Sequence, residues 1–130
     1  MITWSITLEN KKELNKDILN KDILSKENNQ IVIIETDGYL NNEGGEAISA
    51  ICYEKIKGGQ HKFLINMAGT KVVNSIGVSI LIEIIEKLQE VDGKIGYYNL
   101  APIVAKTFNI MGLTKYSTVY TTEEEAVGAL

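Results

Sequence analysis

Six consecutive residues, Ile31 to Thr36 (IVIIET), constrain this chain more than any other stretch. The first four are apolar and β-branched, which favours extended backbone and leaves no position for solvent. Such a strand is buried on both faces, as in a parallel sheet covered by helices. The flanking pattern agrees. Asp37-Gly38 turns the chain, and GYLNNEGGE (38–46) reads as a loop. From about Glu46 to Lys57, apolar residues recur at 47, 48, 51, 52 and 56, a helical spacing that Gly58-Gly59 stops. KFLINM (62–67) reads as the next strand. Residues 75–91 read as a long helix with Ile76, Ile80, Ile84, Leu88 and Val91 along one face, Asn74 or Ser75 as its N-cap and Gly93 as its stop.

KIGYYN (94–99) is a further strand. Pro102 then opens a helix, where its missing N–H costs nothing, and Val104, Ala105, Phe108 and Met111 give its inner face before Gly112 closes it. YSTVY (116–120) is the last strand, and Thr122 to Glu125 forms a capping box for a terminal helix. At the other end, residues 2–8 alternate, with Ile2, Trp4, Ile6 and Leu8 on one face. Residues 10–30 are rich in Lys and Asn and contain NKDIL twice in succession. A five-residue step does not keep one helix face aligned, so this is local duplication. The segment reads either as a short helix through Leu14, Ile18 and Leu19 or as a mobile insertion. The order β-β-α-β-α-β-α-β-α predicts an α/β fold in one domain, residues 1–130, with a mainly parallel mixed sheet of about five strands flanked by helices. The first strand has no certain crossover helix behind it and is free to run antiparallel.

Charge and rare residues exclude several function classes. Acidic side chains number 17 and basic ones 13, all lysine, for a net charge of −4. An acidic chain without arginine is poorly suited to nucleic acid, where bidentate guanidinium contacts dominate, and to anionic membrane. One His and one Cys argue against a zinc site and a Cys–His nucleophile. Cys52 falls on the apolar side of its helix and reads as an inert thiol; His61, ahead of a strand, reads as a surface residue. Gly44-Gly45, Gly58-Gly59 and Gly69 match no phosphate-cradling spacing and read as punctuation. Glu123 to Glu125 complement a helix dipole. The start, MITWSITLENKK, lacks a charged leader and a long apolar run, so the expected location is cytoplasmic.

The informative stretch is VVNSIGVSILI, residues 72–82. It places Ser75 on the first turn of a helix, beyond the carboxyl end of a strand, where open α/β sheets carry their functional residues. A hydroxyl there can act as an N-cap and nothing more. It can also take a phosphoryl group, which the free N–H groups and the positive helix end accommodate.

At this point the chain resembles the STAS domain family, in particular bacterial anti-sigma factor antagonists. The family's Asp-Ser-Ser/Ala-Gly motif is matched by Asn74-Ser75-Ile76-Gly77, and its Gly-x-Leu-Asp loop by Gly38-Tyr39-Leu40-Asn41. Its C-terminal pattern is matched by Pro102, Val104, Phe108, Gly112-Leu113 and Glu125-Ala126 in the same order, so the likeness covers about residues 31–130. The resemblance implies a partner-switching regulator of transcription without catalytic activity, cofactor or metal. Its partner would be an anti-sigma factor that is also a serine kinase, with ATP and Mg²⁺ held by that partner. A serine phosphatase would reset the switch. Ser75 would be the phosphorylated residue, and Gly38, Tyr39, Leu40, Asn41, Asn74, Ser75, Ile76 and Gly77 the partner-binding set, on a monomer or weak dimer that touches neither nucleic acid nor membrane. Asn41 and Asn74 stand where the family has Asp. Both changes remove a negative charge near the motif serine, and they keep open a second reading, an unphosphorylated STAS-like scaffold or small-ligand binding module.

Overall fold

The computed structural model describes residues 2–7, 12–15 and 31–130. These form a six-stranded sheet of order β2-β1-β3-β4-β5-β6. The strands are β1 (Ile2–Thr7), β2 (Lys12–Asn15), β3 (Ile31–Asp37), β4 (Lys62–Gly69), β5 (Lys94–Tyr98) and β6 (Thr118–Tyr120). The helices are α1 (Asn42–Lys57), α2 (Ser75–Glu90), α3 (Pro102–Ile110) and α4 (Glu123–Ala129), with a 3-10 turn at Leu113–Lys115. β1 and β3 to β6 are parallel; β2 alone is antiparallel, on the outer edge of β1. The sheet is therefore the expected mainly parallel one, with six strands in place of about five. The extra strand is β2, which lies inside the segment read as a helix or a mobile insertion. Residues 12–15, Leu14 among them, are strand and not helix, while Ile18 and Leu19 lie outside the described residues, as do residues 8–11 and the rest of that segment. The direction of β1, which the sequence leaves open, is settled by the structure. β1 runs parallel to β3, because β2 returns the chain antiparallel along the far side of β1 before β3 begins.

β3, β4, β5 and β6 are added in chain order toward one side, so crossovers of one hand keep α1, α2 and α3 on a single face. Their side chains share one core: Ile48, Ile51 and Cys52 from α1, Leu81, Ile84 and Leu88 from α2, Val104 and Phe108 from α3, over Val32, Ile34, Phe63, Ile65 and Tyr97 of the strands. The Tyr97 and Phe108 rings meet edge to face with centroids 5.2 Å apart. α4 covers the other face, where Ala126 packs with Ile33, Leu64 and Tyr98. The IVIIET run thus has Val32 and Ile34 in one core and Ile33 in the other, buried on both sides as its composition requires.

Three local expectations change. α1 starts at Asn42, not near Glu46, so Gly44 and Gly45 lie inside a helix. Asn41 caps the earlier start, and Gly45 suits a close helix crossing: a Cβ there would sit 2.9 Å from Ile80 Cδ1 and 3.3 Å from the Gly77 carbonyl oxygen of α2. The phase of α2 also differs. Its buried stripe is Gly77, Val78, Leu81, Ile84, Ile85 and Leu88; Ile80 is half-buried against α1, and Ile76 faces outward at 55% exposure. At α4, Thr122 Oγ1 accepts from the Glu125 amide at 3.1 Å, as a capping box requires. The Glu125 carboxylate reaches one residue further back, to the Thr121 amide at 2.7 Å.

Candidate functional site

β3 and β4 end in a shared irregularity. Glu35 pairs with Asn66, but Asp37 pairs with Gly69, so β4 carries one extra residue. The Asn66 side chain satisfies the bulged segment by accepting from the Ala68 amide at 3.1 Å. Gly69 fits because a Cβ there would lie 2.5 Å from the Thr36 carbonyl oxygen. Beyond the bulge the two chains resume a short parallel ladder of their own. The Gly38 amide donates to the Gly69 carbonyl (3.1 Å), the Leu40 amide to the Val72 carbonyl (2.9 Å), and the Asn74 amide to the Leu40 carbonyl (3.0 Å). Leu40 and Val73 form the bridge.

This ladder sets the starts of α1 and α2 side by side. Asn41 caps α1, its Oδ1 accepting from the Gly44 amide at 3.0 Å. Asn74 caps α2, its Oδ1 accepting from the Gly77 amide at 2.8 Å. Of the two cap candidates in the sequence, Asn74 is the cap and Ser75 the first helical residue. Ser75 is exposed. Its amide and that of Ile76 belong to the first turn, which has no intrahelical carbonyl to pair with. The first turn of α2 carries no acidic side chain, so no carboxylate of its own offsets the positive helix end.

The other residues of the expected site divide into two groups. Tyr39 and Ile76 are exposed at 37% and 55%, and Gly38, Asn41 and Asn74 are half-buried. Leu40 and Gly77 are buried and support the surface from beneath. A Cβ on Gly77 would stand 2.5 Å from the Leu40 carbonyl oxygen and 3.0 Å from that of Asn41. The glycine is what lets α2 lie against the GYLN loop. Sequence reasoning missed Val72, which is 54% exposed, and Lys71, also exposed. Both line an open groove with Asp37, Gly38, Tyr39 and Gly69. The signal was available in KVVN: in an extended segment only one of two adjacent valines can face the core.

Other candidate groups fall elsewhere. Cys52 is fully buried on α1, and burial pushes its thiol pKa up, away from reactivity. His61 is half-buried ahead of β4. Glu123 accepts a hydrogen bond from the Tyr98 hydroxyl at 2.5 Å, on the opposite face of the sheet from α2. Among the described residues no group of His, Cys, Asp and Glu could hold a metal ion, and no helix is long and apolar enough to cross a membrane.

Comparison with known proteins agrees with this fold. The sequence profile of the STAS domain matches residues 22–126. Among solved structures, a candidate anti-sigma factor antagonist from Thermotoga maritima superposes with a TM-score of 0.70 at 16% identity, covering 76% of this chain and 86% of that one, a likeness of fold. The anti-sigma factor antagonist SpoIIAA in its unphosphorylated form gives 0.60 at 25% identity, covering 76% and 87%. The Bacillus cell fate determinant SpoIIAA in the phosphorylated form gives 0.60 at 26% identity, covering 76% and 89%. No curated protein sequence matches the chain.

Proposed function

We propose that this chain, which belongs to the STAS domain family, is an anti-sigma factor antagonist that switches partners through phosphorylation of Ser75. The observation that carries the reading is the exposed Ser75 at the start of α2, bordered by the exposed apolar side chains Tyr39, Val72 and Ile76. Solved relatives described as an anti-sigma factor antagonist and as a phosphorylated form support it. In this reading the unmodified surface captures a cytoplasmic anti-sigma factor with serine kinase activity. That partner supplies ATP and Mg²⁺, and a serine phosphatase restores the surface. The chain is then a substrate and binding partner, not an enzyme.

The charge arithmetic explains how one group can control binding. A phosphoserine carries about −1.5 to −2 charges. At the start of α2 the helix end would stabilise it by about 0.3–1 kcal/mol, so the free domain should keep its shape. Within an interface the same phosphate must be desolvated among Tyr39, Val72 and Ile76, which costs several kcal/mol and lowers affinity by orders of magnitude. The neutral caps Asn41 and Asn74 also matter. A carboxylate ~5 Å from the phosphate would cost roughly 1–3 kcal/mol per unit-charge pair, for effective dielectrics of 80 down to 20.

The test incubates the protein with ATP, Mg²⁺ and each purified anti-sigma factor kinase of the source organism, and follows mass and complex formation. Wild type should gain one phosphoryl group at Ser75 and lose affinity. Ser75→Ala should stay unmodified and bind constitutively; Ser75→Glu should bind weakly while melting as wild type does. Wild type and Ser75→Ala that both remain unmodified and bind alike would overturn the switch and favour the scaffold or small-ligand reading.

A further inference from the structure

The surface around Ser75 is made of two loops, 38–41 and 70–74, and something must fix one against the other. The β4 bulge interrupts the β3–β4 pairing just before both loops, and the three backbone hydrogen bonds that join them start afresh beyond it. At that interruption lie two buried hydroxyls. Thr70 is fully buried and Thr36 is 5% exposed. Their Oγ1 atoms are 2.7 Å apart, and Thr36 Oγ1 also donates to the Asn66 carbonyl at 3.3 Å. Either hydroxyl can be the donor of the pair, and Thr36 ties it to Asn66, the last residue before the bulge. The Thr70 amide meanwhile donates to the Met67 carbonyl at 3.0 Å, so Thr70 closes the bulge on its own strand as well.

We infer that Thr36 and Thr70 are positioning residues for the Ser75 surface: their hydroxyl pair sets the register of the 38–41 loop against the 70–74 loop, and with it the relative placement of the Asn41 and Asn74 helix starts. This inference rests on the switch reading for its functional consequence, but not for its structural one. The residues that the pair controls follow at once in the chain. Four residues past each threonine comes one half of the ladder that ends in the caps, with Leu40 bonded to Val72 and Asn74. Gly77 presses on the Leu40 and Asn41 carbonyls from α2, so a shift of one loop against the other moves the first turn that carries Ser75. A buried hydroxyl pair suits this task better than an apolar contact, because a hydrogen bond fixes both distance and direction. Thr36→Val leaves the buried Thr70 hydroxyl without this partner, Thr70→Val leaves Thr36 with only its 3.3 Å bond to the Asn66 carbonyl, and replacing both by apolar groups of equal shape costs little stability.

That asymmetry gives the test. Thr36→Val, Thr70→Val, the double valine variant and the conservative Thr70→Ser variant are compared as full chains, by hydrogen exchange and by phosphorylation with the purified anti-sigma factor kinases of the source organism. The double variant should melt close to wild type. Its Leu40 and Asn74 amides should nonetheless exchange on the order of tenfold faster, with the β4 and β5 amides of 63–65 and 95–97 unchanged. The maximal rate of Ser75 phosphorylation should fall in the same variant, while Thr70→Ser, which keeps the hydroxyl, should match wild type in both readouts. If the double variant keeps wild-type exchange at Leu40 and Asn74, the threonines only fill space and the inference is overturned. If wild type itself takes no phosphate, the switch reading fails, while the exchange measurements still decide whether the pair positions the loops.

Discussion

Gly77→Ala isolates the contact on which the site's geometry depends. The residue is helical, so by propensity alone alanine should help by up to about 1 kcal/mol. Its surroundings forbid it. The new Cβ would stand 2.5 Å from the Leu40 carbonyl oxygen, about 0.9 Å inside ordinary contact at 3.4 Å, and 2.8 Å from the carbonyl carbon. Leu40 cannot recede: its side chain is fully buried, its amide is bonded to Val72 and its carbonyl to the Asn74 amide. Overpacking against a fixed backbone costs about 1–3 kcal/mol. Weakening the Asn74–Leu40 bond adds about 0.5–1.5 kcal/mol. After the propensity gain, the net loss is about 1–3 kcal/mol, a midpoint lower by about 3–10 °C for a chain of this size. Gly128→Ala is the internal control. It is the same exchange in α4 with nothing within 4 Å of the added Cβ, and it should raise stability by a few tenths to about 1 kcal/mol. The assay is thermal and urea unfolding of both variants. Equal stabilisation by the two alanines would show that α2 does not lie against the loop as described.

Ile84→Asp should abolish cooperative unfolding, since Ile84 has no exposed surface and an unpaired carboxylate there has no compensation; a normal melt would place the buried face of α2 elsewhere. Ile76→Asp, by contrast, should leave the melt within about 0.5 kcal/mol of wild type, because the side chain is exposed, while weakening capture of the anti-sigma factor kinase at least tenfold. Unchanged capture would remove Ile76 from the partner surface. Alkali should destabilise the protein in a set order. Burial pushes the Cys52 thiol and the Tyr97 hydroxyl above their ordinary values of 9.0 and 10.0, so above those values the unfolded chain releases protons that the native one keeps. This stability is whole below the unfolded pKa values and is lost as pH rises toward the folded ones, by about 1.4 kcal/mol per pH unit for each group past its unfolded value. Urea midpoints should start to fall above about pH 9, the unfolded thiol value, and Cys52→Ala should remove the first part of that fall; a flat profile would contradict the burial of both groups.

Much of this was legible in the sequence because it depends on short-range pattern. β3 reads as doubly buried from four β-branched residues in a row, and the structure puts them in two cores. The start of α2 reads from Asn74 and Ser75 because capping is a contact across three residues, Asn74 to Gly77. What the sequence could not supply depends on partners far along the chain. Gly44-Gly45 reads as a loop because glycine is a poor helix former on its own; the close crossing with Ile80 and Gly77, which a Cβ on Gly45 would obstruct, is a contact with residues more than 30 positions away. Ile76 looked internal because it lies four residues before Ile80, yet the phase of α2 is set by Gly77 packing on Leu40, 37 residues earlier, and that rotation turns Ile76 out to solvent. The direction of β1 was open until β2 was seen to return the chain along its outer edge. Likewise, nothing local pairs Thr36 with Thr70. Local pattern decides which residues must be buried or capped, but two buried hydroxyls 34 residues apart find each other only when the sheet brings the ends of β3 and β4 together.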